Sequence, residues 1–394
     1  MKKICFWTPY IGNIGTIKAT ISSAAIIKKH IDCEVDLFKI YGEWEGYECI
    51  LKKNSLYIID FGLKKFLKKL PSYGVFSRLT MLIIMTYSIP KLINYFNKKK
   101  PDIVFSYLQG ITPLIARCFS IYKPKIFLSV QGLPSFLVSY EIYKQYPIWK
   151  KIESSIRIFI WKKLYLKADK IITLTKTTQL DLIKFFNSDE KKIIYIPNPI
   201  VNEDIVKKSN ESIKDDNYLN RGYIIGVGRL TAQKDFKTLI SAFKIVSEYI
   251  DDINLVILGE GEEKGRLQNL IDYYGLSSRV YLYGFVLNPY KYIKNAKIFV
   301  LSSLWEDPGH VLMEAAYLKV PIVATDCPND VSNFLSNGKA GYLCKISNDI
   351  DMADKIMFAL QNKNDEKIDL AYNNSLLFSN KTFLNKILRV INEK

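Results

Sequence analysis

Short runs rich in isoleucine, valine and aromatic residues alternate with longer helix-like stretches along most of this chain, and that alternation leaves few folds open. Residues 3–7, 34–40, 102–107, 126–130, 170–175 and 193–196 read as strands, with helices over 16–29, 148–166 and 177–186. When a helix separates successive strands of one sheet, the strands run parallel and the crossovers are right-handed. A second series follows. Its strands are 223–227, 254–258, 280–283, 298–301 and 322–325, and its helices are 235–249, 262–274, 289–295 and 311–318. Between the two series, residues 202–220 hold Asn, Asp, Ser and Lys with little apolar content, the composition of a connecting segment.

The predicted architecture is therefore α/β: two Rossmann-like domains facing each other, with ligands in the crevice at the carboxyl ends of the strands. The expected division is a first domain over 1–200, a linker over 201–220 and a second domain over 221–394. The last helix is expected to be able to pack back on the first domain. A chain of 394 residues is long enough for two such cores.

Charge is distributed unevenly. Residues 1–200 carry 32 Lys and Arg against 14 Asp and Glu, and residues 201–394 carry 24 against 25. The excess positive charge of the first half suits an anionic partner: nucleic acid, an anionic membrane or a phosphorylated acceptor. A solvated basic surface is the plainer reading. No zinc-finger spacing or aromatic RNA-binding motif is present, so no nucleic-acid partner is expected. Cys5, Cys33, Cys49, Cys118, Cys327 and Cys344 form no C-x-x-C pair and read as free thiols. With His30 and His310 alone, a histidine-rich metal site is excluded. The basic start MKKICFWTPYIGNIG is broken by Pro9, and the most apolar stretch, 79–89, ends at Pro90 and is too short to span a bilayer. The expected location is cytoplasmic.

Two segments carry chemistry. The first is Gly226-Val-Gly228-Arg229-Leu-Thr-Ala-Gln-Lys234, between a strand and a helix. Its glycines let a ligand approach the backbone, and two cations at the mouth of a sheet suit a diphosphate that gains charge as its bond to carbon breaks. Two ordinary surface cations would look the same. The second is Glu306-Asp-Pro-Gly-His-Val-Leu-Met-Glu314. Glu314 falls inside an apolar helical pattern, where a carboxylate needs partners, and ribose hydroxyls could supply them. Pro308-Gly309 before the helix leaves first-turn N–H groups for an anion or a sugar hydroxyl.

In order, GVGRLTAQK, ILGEGEEKGRL, YLYGFV, SSLWEDPGHVLMEA and VPIVATDCP closely resemble the donor-binding domain of glycosyltransferase family 4, the group 1 retaining enzymes of the GT-B fold. TPYIGNIGT, KADKIITLTKTTQLDL and IPNPI extend the resemblance, more loosely, over the first half. The resemblance implies an enzyme moving a sugar from a nucleoside-diphosphate sugar, UDP-sugar favoured, to a hydroxyl of a glycan or polyprenyl-linked acceptor in capsule or lipopolysaccharide synthesis. It assigns Arg229 and Lys234 to the diphosphate, Glu314 to the ribose and Glu306 to the donor sugar at the reacting carbon. It also assigns the amides around Gly309, His310 and Val311 to sugar or phosphate oxygens, and Gly12 and Gly15 to a loop beside the donor phosphates. No metal or cofactor is implied. The one D-x-D, Asp349-Ile-Asp351, fits a helix start better than a metal site.

The chain departs from the family pattern in places. Gln131-Gly132 stands where many relatives carry a histidine, and Asp330 and Asn333 stand where a glycine and a glutamate are common. These departures leave room for an inactive homologue, or for a two-lobed nucleotide-sugar-binding protein. Finally, residues 62–100 set Lys64, Lys65, Lys68 and Lys69 before an apolar segment and Lys98, Lys99 and Lys100 after it. Such an element suits an anionic inner membrane surface, and a core helix with solvated lysines would share the pattern.

Overall fold

The computed structural model describes residues 1–8, 15–40, 42–64, 75–107, 110–131, 147–213, 221–362 and 364–393. Two compact units emerge. One is Met1–Asn198 together with Phe383–Lys394, the other Pro199–Thr382.

The first unit holds strands β1 (Lys2–Trp7), β2 (Cys33–Lys39), β3 (Tyr57–Asp60), β4 (Ile103–Ser106), β5 (Lys125–Val130), β6 (Lys170–Thr173) and β7 (Ile193–Tyr195). They form a parallel sheet in the order β3-β2-β1-β4-β5-β6-β7. Successive side chains enter opposite layers. Ile4 and Phe6 meet Ile17, Ile21 and Ile27 of the Gly15–His30 helix, and Cys5 and Trp7 meet Leu92, Phe96, Trp161 and Leu182 on the other face. A parallel sheet covered on both faces needs apolar residues at every position, which is why these strands read as near-continuous apolar runs.

The second unit holds β8 (Gly222–Val227), β9 (Ile253–Leu258), β10 (Val280–Gly284), β11 (Ile298–Leu301), β12 (Ile322–Thr325) and β13 (Tyr342–Cys344). The order is β10-β9-β8-β11-β12-β13, all parallel. Strand order reverses between β8 and β11, so the loops leaving these two strands diverge and open the position where such sheets take ligands.

Three features differ from the sequence reading. Residues 199–213 are part of the second unit, not a connecting segment. The amides of Ile200 and Val201 both bond to the Phe378 carbonyl, Asn202 caps the Glu203–Ser209 helix, and Ile205 is buried. The rest of the expected linker, 214–220, lies outside the described residues. The last helix packs back on the first unit, as expected: the chain from Phe383 onward belongs there, with Phe383, Ile387 and Ile391 in the core beside Ile4. The apolar segment expected to end at Pro90 is a helix over Val75–Lys99 with Pro90 inside it. Leu92, Tyr95 and Phe96 continue the buried side set by Ile84 and Ser88, and that packing carries the helix past the proline. Its apolar side is therefore core. Strand β3 was not expected, because its Tyr57 and Ile58 are exposed on an edge.

The loop after β8 is locked to its neighbour by backbone alone. Gly228 N–H donates to the Leu258 carbonyl (3.0 Å), Leu230 N–H to Glu260 (2.9 Å) and Glu263 N–H back to Leu230 (2.9 Å). Gly259 has φ +146°, and a Cβ there would stand 1.8 Å from the Gly228 oxygen. The glycines of the Gly259-Glu-Gly261 turn thus set the path of the Gly228–Arg229 loop. Gly259→Ala should cost about 3 kcal/mol of stability. Gly265→Ala, in a helix where an added Cβ meets nothing within 4 Å, should gain about 0.5 kcal/mol. Thermal unfolding of the two variants checks both signs.

Candidate functional site

The loops leaving β8 and β11 are stitched together at the switch point. After β8, Leu230 is fully buried and pins the loop, while the Arg229 side chain is exposed and forms no ion pair among the described residues. A 3-10 turn, Ala232–Lys234, follows, and Asp235 caps the Phe236–Tyr249 helix by accepting from the Thr238 amide at 3.4 Å, with the Thr238 hydroxyl donating to its other oxygen at 2.7 Å. Burial raises the Asp235 carboxyl above its ordinary value, while its bonds to Thr238 and Ser347 oppose that shift. From the other loop, the Ser302 hydroxyl donates to the Lys234 carbonyl (2.7 Å) and Leu304 N–H to the Gln233 carbonyl (2.8 Å). The Gln233 side-chain amide donates to the Trp305 carbonyl (2.9 Å).

This stitching brings Lys234 and Glu306 into contact. Lys234 Nζ lies 2.5 Å from Glu306 Oε1, and the Ser303 hydroxyl donates to the same oxygen at 2.5 Å. Glu306 is only 4% exposed. A carboxylate this buried is held by its counter-charge and hydroxyl donor, without which desolvation would penalise its charge. Burial, then the Glu306 carboxylate, pushes the neighbouring Cys327 thiol up to about 12, so that thiol stays protonated and unreactive.

Beyond Glu306 the chain passes a cis Asp307–Pro308 bond and turns at Gly309, φ +78°. A Cβ at Gly309 would sit 3.1 Å from Glu306 Cγ, so glycine is needed both for the backbone and for the room. Gly309 caps the His310–Tyr317 helix, whose first turn holds the half-buried His310 and Val311. Glu314 is buried further along it, and the Tyr290 hydroxyl donates to its Oε1 at 2.9 Å. The helix directs its first N–H groups away from its own body, as anion-binding helix starts do. In the first unit, Gly15 is the first residue of the Gly15–His30 helix, and Gly12 lies outside the described residues.

Comparison with known proteins bears on this arrangement. The family model for glycosyl transferases group 1 matches residues 207–374, which include Arg229, Lys234, Glu306 and Glu314, and the model for glycosyltransferase family 4 matches residues 65–203. This chain belongs to the group 1 glycosyl transferases. An uncharacterized glycosyltransferase of Methanocaldococcus jannaschii is 33% identical over 288 residues, covering 71% of this chain and 65% of the relative. The N-acetylgalactosamine-N,N'-diacetylbacillosaminyl-diphospho-undecaprenol 4-alpha-N-acetylgalactosaminyltransferase of Campylobacter jejuni is 32% identical over 230 residues, covering 58% and 60%. The chain thus spans slightly less than two thirds of the length of these relatives. The crystal structure of Anabaena HepE with UDP and glucose overlays along the whole of both chains, with a TM-score of 0.72 and 16% identity. That likeness shows the GT-B fold.

Where this chain departs from the family's pattern, the structure supplies local reasons. Gln131 and Asn198 form a reciprocal amide pair in the first unit: Asn198 Nδ2 donates to Gln131 Oε1 at 2.8 Å, and Gln131 also donates to the Ser129 hydroxyl at 2.6 Å. Asp330 takes a left-handed conformation, φ +64°, where a glycine is common in relatives, and aspartate is among the side chains that tolerate it. Asn333 donates to Asp330 Oδ1 at 2.9 Å and steadies that turn. Asp349 and Asp351 lie in the first turn of the Asp349–Gln361 helix, and the capping side chain is Asn348. Sequence reasoning missed Gln233, Ser302, Ser303 and Tyr290. Ser302-Ser303 directly before the glutamate block was a legible signal, but nothing marked Tyr290, which sits 24 residues from its partner.

Lys234→Ala would leave Glu306 buried without its cation, and should cost about 3 kcal/mol. Adding Glu306→Ala to that variant should recover most of the loss, as a double-mutant thermal-melt cycle would show. If the two losses simply add, the pair makes no net contribution.

Proposed function

We propose that this chain transfers a sugar from a nucleoside-diphosphate sugar, a UDP-sugar foremost, to a hydroxyl of a glycan or lipid-linked acceptor during synthesis of a bacterial surface polysaccharide. The observation that carries this reading is the pair of half-buried Lys234 and buried Glu306 at the switch point, beside an exposed arginine and a helix start. Without donor, each charge of the pair satisfies the other. A bound diphosphate offers Lys234 a stronger anionic partner, joined by Arg229, and leaves Glu306 to hold the donor sugar near its anomeric carbon. Glu314, steadied by Tyr290, takes the ribose hydroxyls, and the amides of Gly309, His310 and Val311 take sugar or phosphate oxygens.

In the reaction the acceptor oxygen bonds to the anomeric carbon as the carbon–oxygen bond to the diphosphate breaks. The acceptor proton leaves with the diphosphate or to solvent, and the configuration is retained, as in the family. The cations and helix N–H groups stabilise the charge that develops on the leaving group. This chemistry calls for no metal or cofactor. Matches named for O-antigen and capsular polysaccharide biosynthesis support the product class. The Campylobacter relative, named for a diphospho-undecaprenol substrate, supports a polyprenyl-linked acceptor and a working place on the inner face of the cytoplasmic membrane. Among the described residues, no helix is long and apolar enough to cross a membrane.

A thermal-shift panel with UDP, GDP and ADP on wild type and Glu314→Ala tests the reading. A nucleotide at 100 times its dissociation constant adds about 2.7 kcal/mol of stability. We expect a shift with UDP that is lost in Glu314→Ala. A wild type that responds to none of the three sinks the proposal.

A further inference from the structure

The Ile148–Leu164 helix of the first unit is apolar on two opposite sides. One side is core: Ser154 and Trp161 are buried, and Trp161 stacks on Tyr165 with ring centroids 3.8 Å apart. On the other, Ile148, Ile152, Ile156 and Phe159 are each 55–73% exposed. Their spacing of four, four and three residues puts them in one line along the helix. Seventeen residues make a helix about 25 Å long, so the line is extended rather than local.

A second apolar point adjoins its C-terminal end. Phe119 and Ile121 are 72% and 90% exposed. They are held there by Arg117, which donates to the Lys167 carbonyl and to Asp169, and by Asn97, whose side-chain oxygen accepts from the amides of Ile121 and Tyr122. Around these apolar groups stand exposed cations: Lys98, Lys99 and Lys100 beside Asn97, Lys123 on the loop, and Lys162, Lys163 and Lys167 at the helix end. Asp169 is already engaged by Arg117.

We propose that this face, the outward line of the Ile148–Leu164 helix with the Phe119–Ile121 loop, is the surface by which the chain lies on an anionic lipid bilayer. The inference deepens the membrane location given above and rests on it. An extended apolar line edged by lysines seats side chains at the acyl boundary while the ammonium groups reach lipid phosphates. A second copy of this chain is a poor occupant, since residues 1–200 carry 32 cationic against 14 acidic side chains and two such faces repel. The lysines at 98–100 serve this surface. The apolar partner is the Ile148–Leu164 helix, not the Val75–Lys99 helix, whose Ile84, Leu92 and Phe96 are core.

The test is sedimentation with vesicles of phosphatidylglycerol and phosphatidylcholine in equal parts, against vesicles of phosphatidylcholine alone. Wild type should partition onto the anionic vesicles, lose most of that binding in high salt, and bind the neutral vesicles weakly. The triple variant Ile152→Ser/Ile156→Ser/Phe159→Ser should lose at least about tenfold in partitioning. Lys162→Glu/Lys163→Glu should lose binding to the anionic vesicles alone. Leu82→Ser, an exposed position on the Val75–Lys99 helix, should bind as wild type does. Unchanged melting and an unchanged UDP shift in each variant separate this result from misfolding and from failure of the transferase reading. Three results overturn the proposal: no wild-type binding to anionic vesicles, equal binding by the triple variant, or a wild-type dimer in gel filtration that the triple variant abolishes.

Discussion

A parallel strand can be joined to the next only by a crossover that returns the chain to the same end of the sheet, and that constraint governs both units. It places helices on both sheet faces, so the buried run of each strand is largely apolar, as Ile4 to Trp7 and Leu255 to Leu258 are. It also gathers every strand's carboxyl end along one edge. Where strand order reverses, between β8 and β11, the outgoing loops part, and polar side chains from both can meet. Lys234 and Glu306 are 72 residues apart in the chain, and they touch because of this topology.

The site is held mainly by backbone. The Gly228–Arg229 loop takes its path from hydrogen bonds to the turn at Gly259 and Gly261, and the Ala232–Lys234 turn from bonds offered by Ser302 and Leu304. Side chains that would meet a ligand therefore spend little of their own bonding capacity on structure. Arg229 is left exposed, and Lys234 is paired with a carboxylate that a stronger anion could displace. A site so arranged is ordered before its ligand arrives, which lowers the cost of binding.

The first unit shows how one kind of apolar pattern can serve two ends. The Val75–Lys99 helix and the Ile148–Leu164 helix are both apolar and lysine-flanked in sequence. The first spends its apolar side on the core through Ile84, Leu92 and Phe96, while the second keeps a line of isoleucines and a phenylalanine outside. Periodicity reports that a side is apolar. Which element covers that side depends on the neighbours that topology delivers.

Much of the architecture was legible in the sequence. The strand–helix rhythm and the two series followed from hydrophobic periodicity, because a local pattern records what each element must bury. The glutamate block and the two cations were legible for a similar reason, since charged groups at the mouth of apolar strands stand out against their surroundings. Less legible were features that depend on distant partners. The amide pair of Gln131 and Asn198, the hydroxyl of Tyr290 on Glu314, and the place of residues 199–213 all join segments far apart in the chain. The sequence by itself determined which elements form and which residues carry charge into the site. The tertiary structure alone decided which charges meet and which apolar side stays outside, because those outcomes depend on contacts between segments that no local pattern encodes.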